Sequence, residues 1–220
     1  IPFIWHIHNE NQFLKVNQMF FKIFFRYFLN KKLFIVSDSK YILDKNLSGY
    51  KNVIRKKWNQ IPIIPSTTNI EDILIDNRNR KHKKKDRINL GSIGRLTWEK
   101  DYEFLIHVFN QVKKEIEQEV CLFIAGDGPM KKKLVELIKK LNLENSVILM
   151  GSINRKDIRS LLSKIDIYIQ SSKSEGSPIS IKEAMAASLP IISTNVGGIP
   201  ELIDHGNTGI LVESGDKFSF

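Results

Sequence analysis

Two cations and two carboxylates stand in this chain at spacings that suit a phosphorylated sugar. Lys100 follows Gly94-Arg95 by five residues. A planar guanidinium fork and a compact ammonium leaving one loop match the oxygens of a diphosphate. Gly91 and Gly94 let backbone come close to a ligand. Judged alone, Arg95 and Lys100 serve equally well as ordinary surface cations. The carboxylates are Glu175 and Glu183, with seven residues between them. Glu175 lies in Ser174-Glu175-Gly176-Ser177-Pro178, ahead of a helix with Ser177 expected as its N-cap and Pro178 as its first residue. Free amides and the dipole at such a helix start form an anion site. A carboxylate accepts from two neighbouring hydroxyls, so both glutamates suit sugar or ribose recognition. The plainer alternative is a helix-start acid and a surface acid. The neighbours Ile181, Ala184, Met185 and Ala186 argue against full exposure of Glu183.

Other constellations say less. Val196-Gly197-Gly198-Ile199-Pro200-Glu201 reads as a strand–helix turn rather than a direct ligand contact. His6 and His8 share one face of a short strand. With no Cys or acidic partner at ligand spacing a metal is disfavoured, and His8, at the carboxyl end, meets a substrate or is structural. No Asp-x-Asp pair occurs to hold a divalent ion on a diphosphate, which leaves that electrostatic work to Arg95, Lys100 and helix amides. The lone Cys121 excludes a disulfide scaffold and reads as a core thiol.

These residues need a scaffold that brings loops together, and the hydrophobic pattern supplies one. Strands are expected at 1–7, 33–36, 61–64, 88–93, 120–125, 147–150, 165–169, 189–193 and 209–212. Helices are expected at 13–29, 102–116, 131–141, 155–163, 178–187 and, briefly, 199–203. The helix at 102–116 places Phe104, Leu105, Val108, Phe109, Val112 and Ile116 on one stripe. Strands alternating with helices mean an α/β fold with parallel, doubly wound sheets. In such sheets ligands bind where strands end and helices begin, which is where the candidate residues fall.

The ordered series Gly94-Arg95-Leu96, Glu99-Lys100, Ala125-Gly126-Asp127-Gly128-Pro129, Glu175-x7-Glu183-Ala184-Met185-Ala186, Val196 to Glu201, and Gly206-Asn207-Thr208-Gly209-Ile210-Leu211-Val212 resembles the donor-binding domain of retaining glycosyltransferase family 4, the glycosyl transferases group 1. The likeness covers about residues 88–213. It implies a GT-B architecture of two Rossmann-like domains, a nucleotide-diphosphate sugar donor, and retention at the anomeric carbon with no metal or other cofactor. By motif, Arg95 and Lys100 hold the diphosphate and stabilise the leaving group. Glu175 contacts the donor sugar and Glu183 the ribose. Gly176, Ser177, Pro178 and Ile179 supply backbone amides, with Gly94 beside the phosphates. His8-Asn9 is similar to the cleft-facing histidine of the family's N-terminal domain. Ser177-Pro178-Ile179-Ser180 departs from the family's phenylalanine-glycine variant after Glu175-Gly176. The family's N-terminal glycine-rich loop and closing C-terminal helix are absent, so a fragment cut at both ends, inactive alone, is expected.

The implied domains are 1–65 (later half of an acceptor-side domain), 66–87 (basic linker) and 88–220 (donor domain). Charge divides with them. Residues 1–90 carry 18 Lys+Arg against 7 Asp+Glu, a net +11, and residues 91–220 carry 16 against 17, a net −1. The excess includes the linker run Arg78 to Lys85 and the segment 13–32, where six phenylalanines are interleaved with Lys15, Lys22, Arg26, Lys31 and Lys32. That segment reads either as an interfacial helix on anionic lipid, near a glycan or lipid-linked acceptor, or as a domain helix with a basic outer face. The expectation is a hexosyl- or N-acetylhexosaminyltransferase of bacterial polysaccharide or glycolipid synthesis, cytoplasmic and peripheral on the inner membrane face. Alternatives are a nucleotide-sugar epimerase on the same scaffold and a nucleic-acid module. The latter would explain the +10 overall but has no motif to support it, so no nucleic-acid partner is expected.

Overall fold

Alternation of strand and helix persists through the computed structural model, which describes residues 3–7, 33–47, 61–64, 73 and 87–220. The chain divides into two units, Ile1–Thr67 and Thr68–Phe220. His8, the segment 13–32 and the basic run 78–85 lie outside the described residues.

In the first unit β1 (Phe3–Ile7) and β2 (Leu33–Ser37) run parallel, with Phe3 opposite Leu33 and Ile7 opposite Ser37. Helix α1 (Lys40–Leu47) follows at once. Ser39 starts it, its Oγ accepting the Ile42 amide at 3.1 Å. Ile7, Ile42, Leu43 and Leu47 are buried. The strand expected at 61–64 is reduced to one bridge between Ile63 and Ser37. The Ser37 amide donates to the Pro62 carbonyl and the Ile64 amide to the Ser37 carbonyl. Pro62 has no amide with which to extend the ladder.

The second unit runs β3 (Arg87–Ile93), α2 (Tyr102–Glu115), β4 (Glu119–Ala125), α3 (Lys131–Lys140), β5 (Val147–Gly151), α4 (Arg155–Lys164), β6 (Ile167–Gln170), α5 (Ile179–Ala186), β7 (Ile191–Thr194) and β8 (Ile210–Val212). Short 3-10 turns occupy Trp98–Lys100 and Ile199–Glu201. All six strands are parallel, in the order β5-β4-β3-β6-β7-β8. One apolar core gathers Leu105, Ile106, Phe109, Leu134 and Ile138 of α2 and α3. The other gathers Leu161, Leu162, Ile181 and Ala184 of α4 and α5. The stripe expected on α2 fades at its end, where Ile116 is exposed and lies just past the helix. Cys121 is buried and free. Among the described residues no helix is long and apolar enough to cross a membrane.

The chain builds outward from β3 to β5 on one side, then returns to the sheet centre to begin β6 on the other. Strand order therefore reverses between β3 and β6, where Leu90 faces Ile167 and Gly91 faces Tyr168. Loops leaving two adjacent strands diverge at such a point and open a crevice at their carboxyl ends.

Candidate functional site

The loops that leave β3 and β6 carry four of the sequence-selected residues at the carboxyl ends of these strands. Gly94 and Arg95 follow β3 directly. The chain then tightens into the 3-10 turn that ends on Lys100. Glu175 lies five residues beyond Gln170, the last residue of β6.

Lys100 and Glu175 meet. Lys100 Nζ stands 2.5 Å from Glu175 Oε1, with the side chains 20% and 9% exposed. The same oxygen accepts from Gln170 Nε2 at 2.5 Å and from Ser172 Oγ at 2.6 Å. Glu175 Oε2 accepts from no described residue. Arg95 is exposed and forms no ion pair with any described residue. Glu99 sits in the turn between the two cations. Its carboxyl is held below the usual range by its own backbone amide first, then by the Thr97 hydroxyl, with smaller help from Arg95 and Lys100.

The turn and the β6 loop are stitched together. Ser171 Oγ donates to the Lys100 carbonyl at 2.9 Å, the Lys173 amide to the Glu99 carbonyl at 2.7 Å, and Lys173 Nζ pairs with Asp101 at 2.9 Å. Two glycine turns complete the stitching. Gly126 adopts φ +148°, and a Cβ there would stand 1.9 Å from the Gly94 carbonyl oxygen. From the same loop the Asp127 carbonyl accepts the Leu96 amide at 3.0 Å. Gly197 adopts φ +60°, and its Cβ would stand 1.8 Å from the Glu175 carbonyl oxygen. That oxygen accepts the Gly198 amide at 3.0 Å. Only glycine has both the backbone freedom and the missing side chain that these approaches need. The Val196 to Glu201 turn thus does more than join a strand to a helix: it holds the backbone of Glu175.

Glu183 lies on α5 and is 6% exposed, so the surface-acid alternative does not describe it. The start of α5 differs from the expectation. The helix begins at Ile179, Pro178 occupies the extended cap position at ψ 118°, and no side chain caps it. Ser177 is not the N-cap. Its Oγ accepts from Lys182 Nζ at 2.8 Å. Pro178 has no N–H, so it cannot be one of the amide donors assigned to this loop. Gly176, Ser177 and Ile179 retain theirs.

Sequence reasoning misses two tyrosines. Tyr168, fully buried on β6, accepts the Ile93 amide at 3.3 Å and donates to Gln170 Oε1 at 2.9 Å. Tyr102, at the start of α2, is buried with its hydroxyl unpartnered among the described residues. A Cβ on Gly94 would come within 2.9 Å of that hydroxyl and 3.3 Å of Lys100 Cε, which explains why residue 94 has none. Burial raises both phenols above their ordinary range, and the Glu175 charge adds to the rise. The polar run Gln170-Ser171-Ser172 closing an apolar strand is the available signal for this network. Among the described residues no group of three His, Cys, Asp or Glu side chains could hold a metal ion.

Known proteins share sequence and fold with this chain. Residues 75–220 match the family model for glycosyl transferases group 1. N-acetyl-alpha-D-glucosaminyl L-malate synthase of Bacillus anthracis is 36% identical over 112 residues, covering 51% of this chain and 28% of that protein. The GPI3 subunit of phosphatidylinositol N-acetylglucosaminyltransferase from Saccharomyces cerevisiae is 32% identical over 152 residues, covering 67% of this chain and 33% of that protein. The chain thus spans well under half the length of these relatives. In fold it is similar to Anabaena HepE, solved with UDP and glucose. The TM-score is 0.75 at 20% identity, over 98% of this chain and 59% of HepE.

Proposed function

The chain belongs to the glycosyl transferases group 1 family, and from that premise we propose that the protein moves a sugar from a nucleotide-diphosphate sugar to a hydroxyl acceptor, with retention and without a metal. The observation that carries the reading is the pairing of Lys100 with Glu175 beside an exposed Arg95, at the switch point of the sheet. Two cationic side chains suit a diphosphate, and a carboxylate whose Oε2 takes no donor from the described residues suits a sugar hydroxyl.

In the proposed reaction the bond between the anomeric carbon and the diphosphate oxygen breaks as the acceptor oxygen bonds on the same face. Arg95 and Lys100 neutralise the charge that grows on the leaving diphosphate. An oxygen of that diphosphate takes the acceptor proton. Glu175 holds a sugar hydroxyl, Glu183 the ribose, and the amides of Gly176, Ser177 and Ile179 face the phosphate or the sugar. His8 is assigned to the acceptor side of the reaction. The absence of an Asp-x-Asp pair supports cationic side chains in place of a metal.

The names of the relatives favour an N-acetylhexosaminyl or hexosyl donor, and HepE with UDP favours a uridine nucleotide. A glycan or lipid-linked acceptor suits polysaccharide or glycolipid synthesis. We place the enzyme in the cytoplasm, peripheral on the inner membrane face, with the segment 13–32 against anionic lipid. The test incubates the full-length enzyme with UDP- and GDP-sugars and candidate acceptors. Release of nucleoside diphosphate with a new glycoside of unchanged anomeric configuration, undiminished by EDTA, is expected. Epimerised donor without nucleotide release overturns transfer, and inverted product overturns retention. Loss of activity in EDTA, restored by a divalent ion, overturns metal independence.

A further inference from the structure

Glu175 is held by more than its ion pair. Its Oε1 takes three donors, from Lys100, Gln170 and Ser172, at 2.5 to 2.6 Å, while Oε2 takes none from the described residues. Three donors converging on one oxygen fix the plane of the carboxylate and the direction of its other oxygen.

The Gln170 amide is oriented from behind. Its Oε1 accepts from the buried Tyr168 hydroxyl at 2.9 Å, and Ser180 Oγ lies 3.5 Å away on α5. Its Nε2 donates forward to Glu175 and, at 2.7 Å, to Ser172 Oγ. Flipping the amide would set its oxygen against a carboxylate oxygen, so electrostatics decides the orientation. Thr194 Oγ1 on β7 donates to the Ser172 carbonyl at 2.6 Å, which holds that member in place. The polar line therefore runs from the Ile93 backbone through Tyr168 and Gln170 to Glu175, across the junction of β3 and β6.

We propose that Gln170, oriented by Tyr168, is a positioning residue for sugar recognition: it saturates Glu175 Oε1 and presents Oε2 to a hydroxyl of the donor sugar. The inference rests on the transferase reading above and adds to it a residue outside the motif. A diphosphate that draws Lys100 away leaves Gln170 and Ser172 on Oε1, so the carboxylate keeps its direction when the donor is bound. Gln170 is buried, with its amide committed to Tyr168, Ser172 and Glu175. Its loss should therefore fall on transfer and spare nucleotide binding.

The experiment compares Gln170→Leu, Gln170→Glu and Tyr168→Phe in the full-length enzyme. UDP affinity is measured by calorimetry, and kcat and KM with the UDP-sugar that the wild type uses. Gln170→Leu should lower kcat/KM by about 10- to 100-fold, the range for a misplaced reacting group, with the Kd for UDP unchanged within about twofold. Tyr168→Phe should lose less, in the same direction, because the amide keeps its chemistry and loses its anchor. Gln170→Glu should carry the signature. Its carboxyl would face Glu175 at the position of the present 2.5 Å contact, and two such groups hold one proton between them. The shared proton restores the donor, so its kcat/KM relative to wild type should climb as pH falls. Lys100, Tyr102 and Tyr168 also surround the pair. The ammonium works against that climb, and both phenols stay protonated throughout.

A Gln170→Glu profile parallel to wild type overturns the proposal, as do Gln170→Leu and Tyr168→Phe enzymes with kcat/KM within twofold of wild type. Where Gln170→Leu does not fold, the Gln170→Glu profile and Tyr168→Phe decide. A wild type that releases no nucleotide from any UDP- or GDP-sugar refutes the transferase reading instead, which keeps the two failures apart.

Discussion

Arg95 and Lys100 leave the same loop five residues apart and live in opposite surroundings. Arg95 is exposed, with no ion pair to any described residue. Lys100 is four-fifths covered and bound to a carboxylate that is itself nine-tenths covered. The loop after β3 thus carries one charge exposed to solvent and one tied to Glu175 of the loop after β6. Exposure costs Arg95 little while it is solvated. Lys100 stands with a partner because an unpaired carboxylate at Glu175 would be expensive to bury. The difference teaches that equal motif membership does not mean equal structural duty.

Substitutions can break that contrast. The largest effect is expected at Gly197→Ala, where the new Cβ would meet the Glu175 carbonyl oxygen within 1.8 Å at a positive φ. Either the turn or the β6 loop must move, so transfer should be abolished and thermal stability should fall. Differential scanning calorimetry and the transfer assay read both. Arg95→Ala and Lys100→Ala should each remove on the order of 3 kcal/mol of transition-state stabilisation, by analogy with other charge-stabilising donors. Only Lys100→Ala should also destabilise the fold, by about 1–3 kcal/mol in urea unfolding, because it strips a charged partner from Glu175. Arg95→Ala should stay within about 0.5 kcal/mol of wild type in the same measurement. Equal stability losses would erase the distinction between the two cations.

Glu183→Ala should weaken nucleoside-diphosphate affinity while leaving the sugar preference intact, since its assignment is to the ribose. Calorimetry with UDP checks it, and unaltered affinity would count against that role. The smallest effect concerns alkaline stability. Tyr168 has its pKa raised by burial, so the folded protein keeps a proton that the unfolded chain loses above about pH 10. Stability from this group is complete below that pH and declines as pH rises beyond it. Tyr168→Phe should show a shallower decline between about pH 9 and 11 in urea unfolding. Tyr102, raised for the same first reason, retains part of the slope.

Much of the scaffold could be read in advance because β/α alternation is a local pattern. Every strand and helix expected from residue 88 onward is present, with ends shifted by one or two residues in most cases. Glu183 was legible as a covered acid from its small and apolar neighbours. What escaped depends on distance. The Lys100–Glu175 contact spans 75 residues, and no local pattern announces it. The hold of Gly197 and Gly198 on Glu175 spans more than 20 residues, so their motif looked like an ordinary turn. Gln170 falls just past the end of an expected strand, where its polarity reads as a loop start. Ser177 has the chemistry of a cap, yet Pro178 takes that position because its fixed φ of −65° suits an extended residue before α5.

The carbonyl of Glu175 is reached by a glycine turn from β7, and the carbonyl of Gly94 by another from β4. Each contact leaves no room for a side chain on the approaching turn, so the four loops at this end of the sheet interlock. Grafting one loop from a relative with a different sugar preference would import a surface cut to another set of neighbours. Exchange of specificity between such enzymes should therefore succeed when the loops travel together, as one cassette, and fail when they are moved singly.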